Sequence, residues 1–334
     1  MKRKLFALIA LFTLCFASAA YADDHVETVL AGLDNPCGVA IQPGTGHVFV
    51  SDSAAAKIVR VVDGKAEAVI TDFPIGVYGK GPMFNIGPLG LAFLDKDTLV
   101  VGGGGLADGE ELLRVYKVPA AGGDAIKADA MEKSFKLAGS EELKGEGNFY
   151  ALAKNKKFLY VTCNGDDTKG WVSRARIKDG ALVNYKRFLA TKEATEVDAP
   201  VGATISPRGE LVIGQMGEIS VEGDGLLTFY NAKNGKILLN LETGLSDITA
   251  LAYCPKGQLY ATDFVWLNTK AGGLFQLISK KDGDDQTIES KKVLDLDKPT
   301  AMAFADDGTL YITVIGTADG DKKGGKLLKI KAGL

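Results

Sequence analysis

One unit recurs six times along this chain of 334 residues, and its repetition limits the fold more than any single motif does. Each unit begins with a small residue followed by alternating apolar residues: Gly38-Val39-Ala40-Ile41, Gly90-Leu91-Ala92-Phe93, Ala151-Leu152-Ala153, Gly202-Ala203-Thr204-Ile205, Ala250-Leu251-Ala252-Tyr253 and Ala301-Met302-Ala303-Phe304. A tight turn follows, built from residues that tolerate turn geometry, as in Gln42-Pro43-Gly44-Thr45-Gly46, Ser206-Pro207-Arg208-Gly209 and Ala305-Asp306-Asp307-Gly308. Next comes a β-branched and aromatic run, such as Val48-Phe49-Val50-Ser51, Leu159-Tyr160-Val161-Thr162 or Leu310-Tyr311-Ile312-Thr313. A third strand starts beyond a loop in every unit, and a fourth follows in units one to five.

Four antiparallel strands in a unit of about fifty residues, with no repeated helix, predict one blade of a β-propeller. The chain therefore reads as all-β: a single six-bladed propeller over residues 23–334. The small leading residues suit innermost strands that converge on a crowded axis. The sixth unit stops after its third strand, while Val26-Glu27-Thr28-Val29-Leu30 is a strand with no unit of its own. That strand is expected to complete the last blade and so hide two sheet edges.

Residues 33–40, read as Leu33-Asp34-Asn35-Pro36-Cys37-Gly38-Val39-Ala40, with Val48-Phe49-Val50-Ser51-Asp52 and Lys57-Ile58-Val59-Arg60-Val61, resemble an NHL repeat. The other units match in part, through Pro88 with Gly90, Pro200 with Gly202, Pro299 with Ala301, and Thr262-Asp263. The chain is thus similar to the NHL and SMP-30-like (gluconolactonase-like) six-bladed propellers. Lactonases of that kind hold a Ca²⁺ at the channel mouth, where it polarises a lactone carbonyl and positions a water. The residues just after the second strands, Asp52, Gly103, Cys163, Gln215, Asp263 and Val314, are expected to point to that mouth. Asp52, Asn164 and Asp263, joined by Asp166 or Asp167, would then be the oxygen ligands. The departure is at the first blade, where Cys37-Gly38 stands in place of the family's Glu. Asp52 and Asp263 also have a structural reading, as strand-end carboxylates that bond neighbouring backbone amides.

The rest of the sequence narrows the function by exclusion. Lys2, Arg3 and Lys4, an apolar run and Ala20-Tyr21-Ala22 read as a signal peptide over residues 1–22, which predicts a periplasmic or secreted protein with no membrane attachment after cleavage. Losing those three basic residues takes the formal charge from -3 to -6, so no basic patch favours nucleic acid. The only histidines are His25 and His47, which argues against imidazole-based catalysis in the channel and against His-rich zinc sites. Cys37, Cys163 and Cys254 are too few and too scattered for a disulfide framework and read as small buried hydrophobes.

Five of the six loops between second and third strands are long and Gly-rich, at residues 102–110, 164–170, 215–225, 263–273 and 314–325. The inter-blade segment 73–88 joins them on the same face. Long loops on one rim of a rigid scaffold are where ligands are met. The candidate contacts there are Tyr78, Phe84, Asn85, Trp171, Gln215, Phe264 and Trp266. Two functional readings follow. The first is a binding scaffold that presents this face to a protein, peptide or small molecule and needs no cofactor. The second is the Ca²⁺-dependent lactonase-type hydrolase that the resemblance implies.

Overall fold

The computed structural model describes residues 25–333 apart from Lys80, residues 166–168 and Asp284, so the expected signal peptide and Asp166 and Asp167 lie outside the described residues. Six antiparallel sheets of four or more strands make the six blades, and a short two-stranded hairpin stands apart from them. From the axis outward, blade 1 runs Pro36–Ile41, Val48–Asp52, Lys57–Val62 and Lys65–Thr71. Blade 3 runs Phe149–Lys154, Phe158–Cys163, Trp171–Lys178 and Ala181–Ala190. Blades 4 and 5 repeat this order, starting at Pro200–Ile205 and Ile248–Tyr253.

Why these residues make blades is visible in the middle strands, which are apolar on both faces because a neighbouring blade covers each side. In blade 3, Leu159 and Val161 pack toward blade 2, whereas Tyr160 between them packs toward blade 4. In blade 4, Leu211 and Ile213 face back to blade 3 and Val212 faces on to blade 5. Two-residue alternation thus splits each strand between two interfaces. The result is six apolar clusters, one per blade interface, that close into a ring.

Close to the axis the strands approach until no side chain fits between them. A Cβ on Gly38 would stand 2.1 Å from the carbonyl oxygen of Leu89, and one on Gly90 would stand 2.1 Å from that of Tyr150. Hydroxyls then tie neighbouring blades together: Ser51 donates to the Leu89 carbonyl at 2.5 Å, Thr162 to Val201 at 2.9 Å, Thr249 to Pro299 at 2.8 Å and Thr300 to Pro36 at 2.6 Å. Each such bond gives a buried carbonyl near the axis a donor from the neighbouring blade.

Blade 6 is composite. Pro299–Phe304, Leu310–Val314 and Gly325–Ile330 come from the C-terminal part, and Val26–Leu33 pairs antiparallel with Gly325–Ile330 as its outermost strand. Blades 1 and 2 share a further irregularity. The outermost strand of blade 2 is only Lys133–Phe135, because the preceding segment detours to lay Ile126–Lys127 parallel to the rim of blade 1. Arg60 clamps that detour, donating to the carbonyls of Pro119 and Ala120 while pairing with Glu67.

Segment 73–88, expected to be a loop, holds the hairpin Gly76–Tyr78 and Phe84–Ile86. Its pairing sets Tyr78 opposite Phe84 and Val77 opposite Asn85. Tyr78 and Phe84 pack with Cys37, Ile86, Leu89 and Tyr150 in a seventh, smaller apolar cluster, whereas Val77 is 60% exposed. No helix among the described residues is long and apolar enough to cross a membrane.

Candidate site at the channel mouth

The same hydrogen bond recurs at the long-loop end of every blade. The amide just past the second strand donates to the carbonyl of a residue just before the innermost strand: Ala54 to Asp34, Gly104 to Gly87, Asn164 to Asn148, Met216 to Ala199, Phe264 to Asp247 and Ile315 to Lys298. Asn35, Asn148, Ala199 and Lys298, each immediately before an innermost strand, have φ between 46° and 58°. Asn tolerates this left-handed conformation better than most residues, which suits Asn35 and Asn148 to these positions.

Those turns decide what lines the mouth. A cavity of about 60 Å³ lies there among Cys37, Leu89, Tyr150, Val201, Thr249 and Thr300 on the channel side. Asn35, Asn148, Asn164, Met216, Phe264, Trp266 and Ile315 form its wall, and Tyr78, Phe84 and Ile86 of the hairpin complete it. No charged side chain is among these residues. Tyr150 crosses from blade 3 to donate to the Thr300 carbonyl of blade 6 at 3.1 Å, and it lines both this cavity and a second space of similar size on the far side. Burial pushes its phenol well above the ordinary tyrosine range. Tyr150 is therefore the floor of the mouth.

Above the cavity the mouth widens into two grooves. One, of about 650 Å³, runs past Gly104, Gly105, Asp108, Asn148, Asn164, Asp198, Met216 and Glu218. The other, of about 820 Å³, runs past Asp34, Met83, Asn85, Leu267, Lys298 and Lys323. Trp266 borders both.

The aromatic side of the mouth is a packed group. The rings of Phe264 and Trp266 lie 4.6 Å apart between centroids and 38° from parallel, and Phe84 stands 5.6 Å from Trp266 and 6.2 Å from Phe264. Contacts of this kind contribute about 0.5–1.5 kcal/mol each beyond the area they bury. Opposite them, Asn164 donates from Nδ2 to the Tyr78 hydroxyl at 2.8 Å, and burial raises that phenol as well. Asp247 anchors the group from behind. Its carboxylate accepts the Trp266 amide at 2.6 Å, and burial pushes the carboxyl up to about 6.

The expected metal ligands are placed differently from one another. Asn164 lies on the cavity wall, but Asp52 and Asp263 do not line it. Asp52 accepts the Asp34 amide at 2.6 Å and pairs with Lys57 at 3.4 Å. Asp263 accepts the amides of Ser246 and Asp247 at 3.0 and 2.7 Å. Both carboxyls are buried and held by backbone amides, which is the structural role open to a strand-end Asp. The mouth-facing positions fall at or beyond the residue following the expected ones, at Asn164, Met216, Phe264 and Ile315, because one step along a strand moves a side chain to the other face. Gln215 does not line the cavity. It is fully buried, accepts from Thr228 at 3.0 Å and donates to the Val197 carbonyl at 2.7 Å.

Of the other candidates, Tyr78, Phe84, Phe264 and Trp266 come together at the cavity, and Asn85 borders a groove with its carbonyl accepting from Asn35. Trp171 lies away from the mouth, flanked by the Lys169 and Arg187 cations. Sequence reasoning did not pick out Asn35, Asn148, Tyr150 or Met216, although Asn148 and Tyr150 flank the start of the third unit just as Asn35 and Cys37 flank the first. Cys37, Cys163 and Cys254 are free and buried. Burial pushes the Cys37 and Cys163 thiols up to about 12, which leaves them protonated at neutral pH and unfit as nucleophiles.

No family model matches the chain, and no curated protein matches it in sequence. Its fold is shared with solved six-bladed propellers. The gluconolactonase of Xanthomonas campestris superposes with a TM-score of 0.57 at 15% identity, covering 91% of this chain and 88% of that one. The soluble aldose sugar dehydrogenase of Escherichia coli gives 0.59 at 13%, covering 92% and 99%. The aldose sugar dehydrogenase of Streptomyces coelicolor, solved with PQQ bound, gives 0.56 at 14%, covering 92% and 98%. The resemblance to gluconolactonase-like propellers therefore holds for the architecture. Among the described residues the mouth forms no metal centre, and Asp166 and Asp167 lie outside them. A Ca²⁺ site needs several carboxylate and carbonyl oxygens, and among the described residues no group of three acidic, His or Cys side chains is arranged to hold a metal. The cavity wall carries no cationic side chain for an anionic quinone such as PQQ, whereas the groove above it is bordered by Lys270, Lys298 and Lys323.

Proposed function

We propose that the protein is a small-molecule propeller whose long-loop mouth takes an uncharged, largely apolar ligand. The observation that carries this reading is the cavity wall, which is aromatic and aliphatic with amides and hydroxyls but no charged group. Such a lining, with few convergent polar groups, is the usual chemistry of a small-ligand site. The fold neighbours, whose names refer to sugar lactones and sugars, favour a small molecule over a protein partner.

The test compares a neutral ring with its charged opened form. Calorimetric titration with δ-valerolactone and with 5-hydroxyvalerate is expected to show the neutral compound binding at least about tenfold more tightly, since a carboxylate buried without a partner carries a large desolvation cost. Equal affinity for the two would overturn the reading.

A lactonase-type hydrolase is the second reading, favoured by the shared architecture with the Xanthomonas enzyme. It requires a metal centre that Asp52, Asn164 and Asp263 do not form in this arrangement. Asp263→Ala is expected to lower stability by about 2–4 kcal/mol through loss of two charge-assisted bonds, with Ca²⁺ leaving the melting temperature of both proteins unchanged. Hydrolysis of δ-valerolactone that a chelator abolishes would instead establish the second reading.

A further inference from the structure

The cavity is too small for the ligand that its walls would select. Its volume is about 60 Å³, whereas an apolar cavity that takes up benzene measures about 150 Å³. The missing space is filled by a ring of the protein itself. Phe84 sits against Trp266 and Phe264 at distances and tilts suited to an aromatic partner, at 5.6 Å and 57° from the first and 6.2 Å and 86° from the second.

Phe84 is not part of a blade. It belongs to the hairpin, whose strands are three residues each and whose outer side leaves Val77 60% and Met83 59% exposed. The hairpin is bounded by glycines: Gly76 precedes Val77, Gly87 follows Ile86, and Gly79 and Gly81 adopt φ of 129° and 102° between its strands. Its side-chain anchors are the Phe84 ring contacts, the bond from Asn164 to the Tyr78 hydroxyl, the bond from the Asn35 side-chain amide to the Asn85 carbonyl, and the packing of Tyr78, Phe84 and Ile86 on Cys37, Leu89 and Tyr150. By contrast Phe264 and Trp266 are fixed from below, since the Phe264 amide donates to the Asp247 carbonyl and the Trp266 amide to the Asp247 carboxylate. One wall of the aromatic group is thus rigid and the third ring rides on a short, glycine-bounded strap.

We propose that the mouth binds a planar aromatic group in the place Phe84 now occupies, the hairpin swinging outward so that the ligand's ring meets Trp266 tilted and Phe264 edge-on, as Phe84 does. The inference rests on the reading of the mouth as a small-molecule site and adds the class of ligand. Phe84 then acts as an internal occupant, and any incoming ring competes with it. Planarity is selected because a flat aromatic ring reproduces the tilted and edge-on contacts that Phe84 makes, which a puckered saturated ring of the same size does not.

The experiment titrates the wild-type protein, Phe84→Ala and Tyr78→Phe with 2-naphthol and with its saturated counterpart decahydro-2-naphthol by calorimetry. Emission is followed in parallel, because Trp171 and Trp266 are the only tryptophans and Trp266 alone borders the mouth. Removing the competing ring is expected to tighten 2-naphthol about tenfold in Phe84→Ala while changing decahydro-2-naphthol less than about threefold. Tyr78→Phe keeps the packing and releases only the bond to Asn164, so it is expected to tighten 2-naphthol by a smaller factor. It also keeps the test decisive if Phe84→Ala fails to fold. Unchanged affinity for 2-naphthol in the variants overturns the replacement by Phe84 and leaves the mouth as a binding site. Equal gains for the two probes overturn the selection for a planar ring. Failure of every protein to bind either probe overturns both this inference and the small-molecule reading.

Discussion

Asp247 couples the titration of a single carboxyl to the shape of the mouth. Its folded value of about 6 lies above the ordinary value of about 4, and the first cause is burial. The folded state therefore holds the proton more tightly than the unfolded chain between those two values. Asp247's contribution to stability is present in full below pH of about 4 and is lost as the pH rises through 6. Asp247→Asn keeps an oxygen acceptor for the Trp266 amide and removes the buried charge. It is expected to be more stable than wild type by about 1–3 kcal/mol at pH 7.5 and indistinguishable from it near pH 4. Thermal unfolding of the two proteins across this range checks the claim, and a constant difference would refute it. At this scale the sequence is a partial guide. It marks Asp52 and Asp263 through the small-Asp strand ends, but not which way their carboxylates turn. That direction depends on a one-residue register and on amides supplied from segments some sixteen to eighteen positions away.

The strands are legible for a physical reason that the hairpin does not share. Each of the two innermost strands of a blade carries four or more apolar or small residues bounded by turn residues, and its period survives because two neighbouring blades demand it. The hairpin strands Gly76–Tyr78 and Phe84–Ile86 are too short to show a period and owe their form to the body of the mouth beneath. The detour that adds Ile126–Lys127 to blade 1 is hidden in the same way, since two residues carry no pattern. Innermost strands give the clearest test at this scale. At Gly90 a methyl group would meet the Tyr150 carbonyl, a backbone atom with little freedom to yield. Gly90→Ala is expected to cost about 1–3 kcal/mol or more by overpacking, read as a lowered urea midpoint. It should also weaken mouth binding, because the strand it displaces carries Tyr150. A variant as stable as wild type would show that the axis has slack.

As a whole the molecule is a ring of six like interfaces, and its integrity depends on the weakest of them. The seam is blade 6, where Val26–Leu33 closes on Gly325–Ile330 and contributes Leu30 and Leu33 to the cluster shared with blade 1. Without residues 26–33 the strand Gly325–Ile330 becomes an open edge, which invites pairing between molecules. A chain lacking them is expected to melt about 10 °C or more below the full protein, corresponding to several kcal/mol, and to elute as aggregates in size-exclusion chromatography. Monomeric behaviour at an unchanged melting temperature would contradict the role of the seam. The repeat made this closure legible in advance, since a strand with no unit and a unit with no fourth strand leave few other arrangements.

The seam also imposes an order in time. The strand nearest the start of the described chain finds its partner only when the last strand has been made, so the first blades to emerge must persist as an unclosed, curved stack with one apolar face uncovered. Contacts of such long sequence separation form slowly, and exposed sheet surface during that interval favours association with other chains. Closure therefore waits until Gly325–Ile330 has been made, and the mouth, framed by all six blades, comes into being only at that moment.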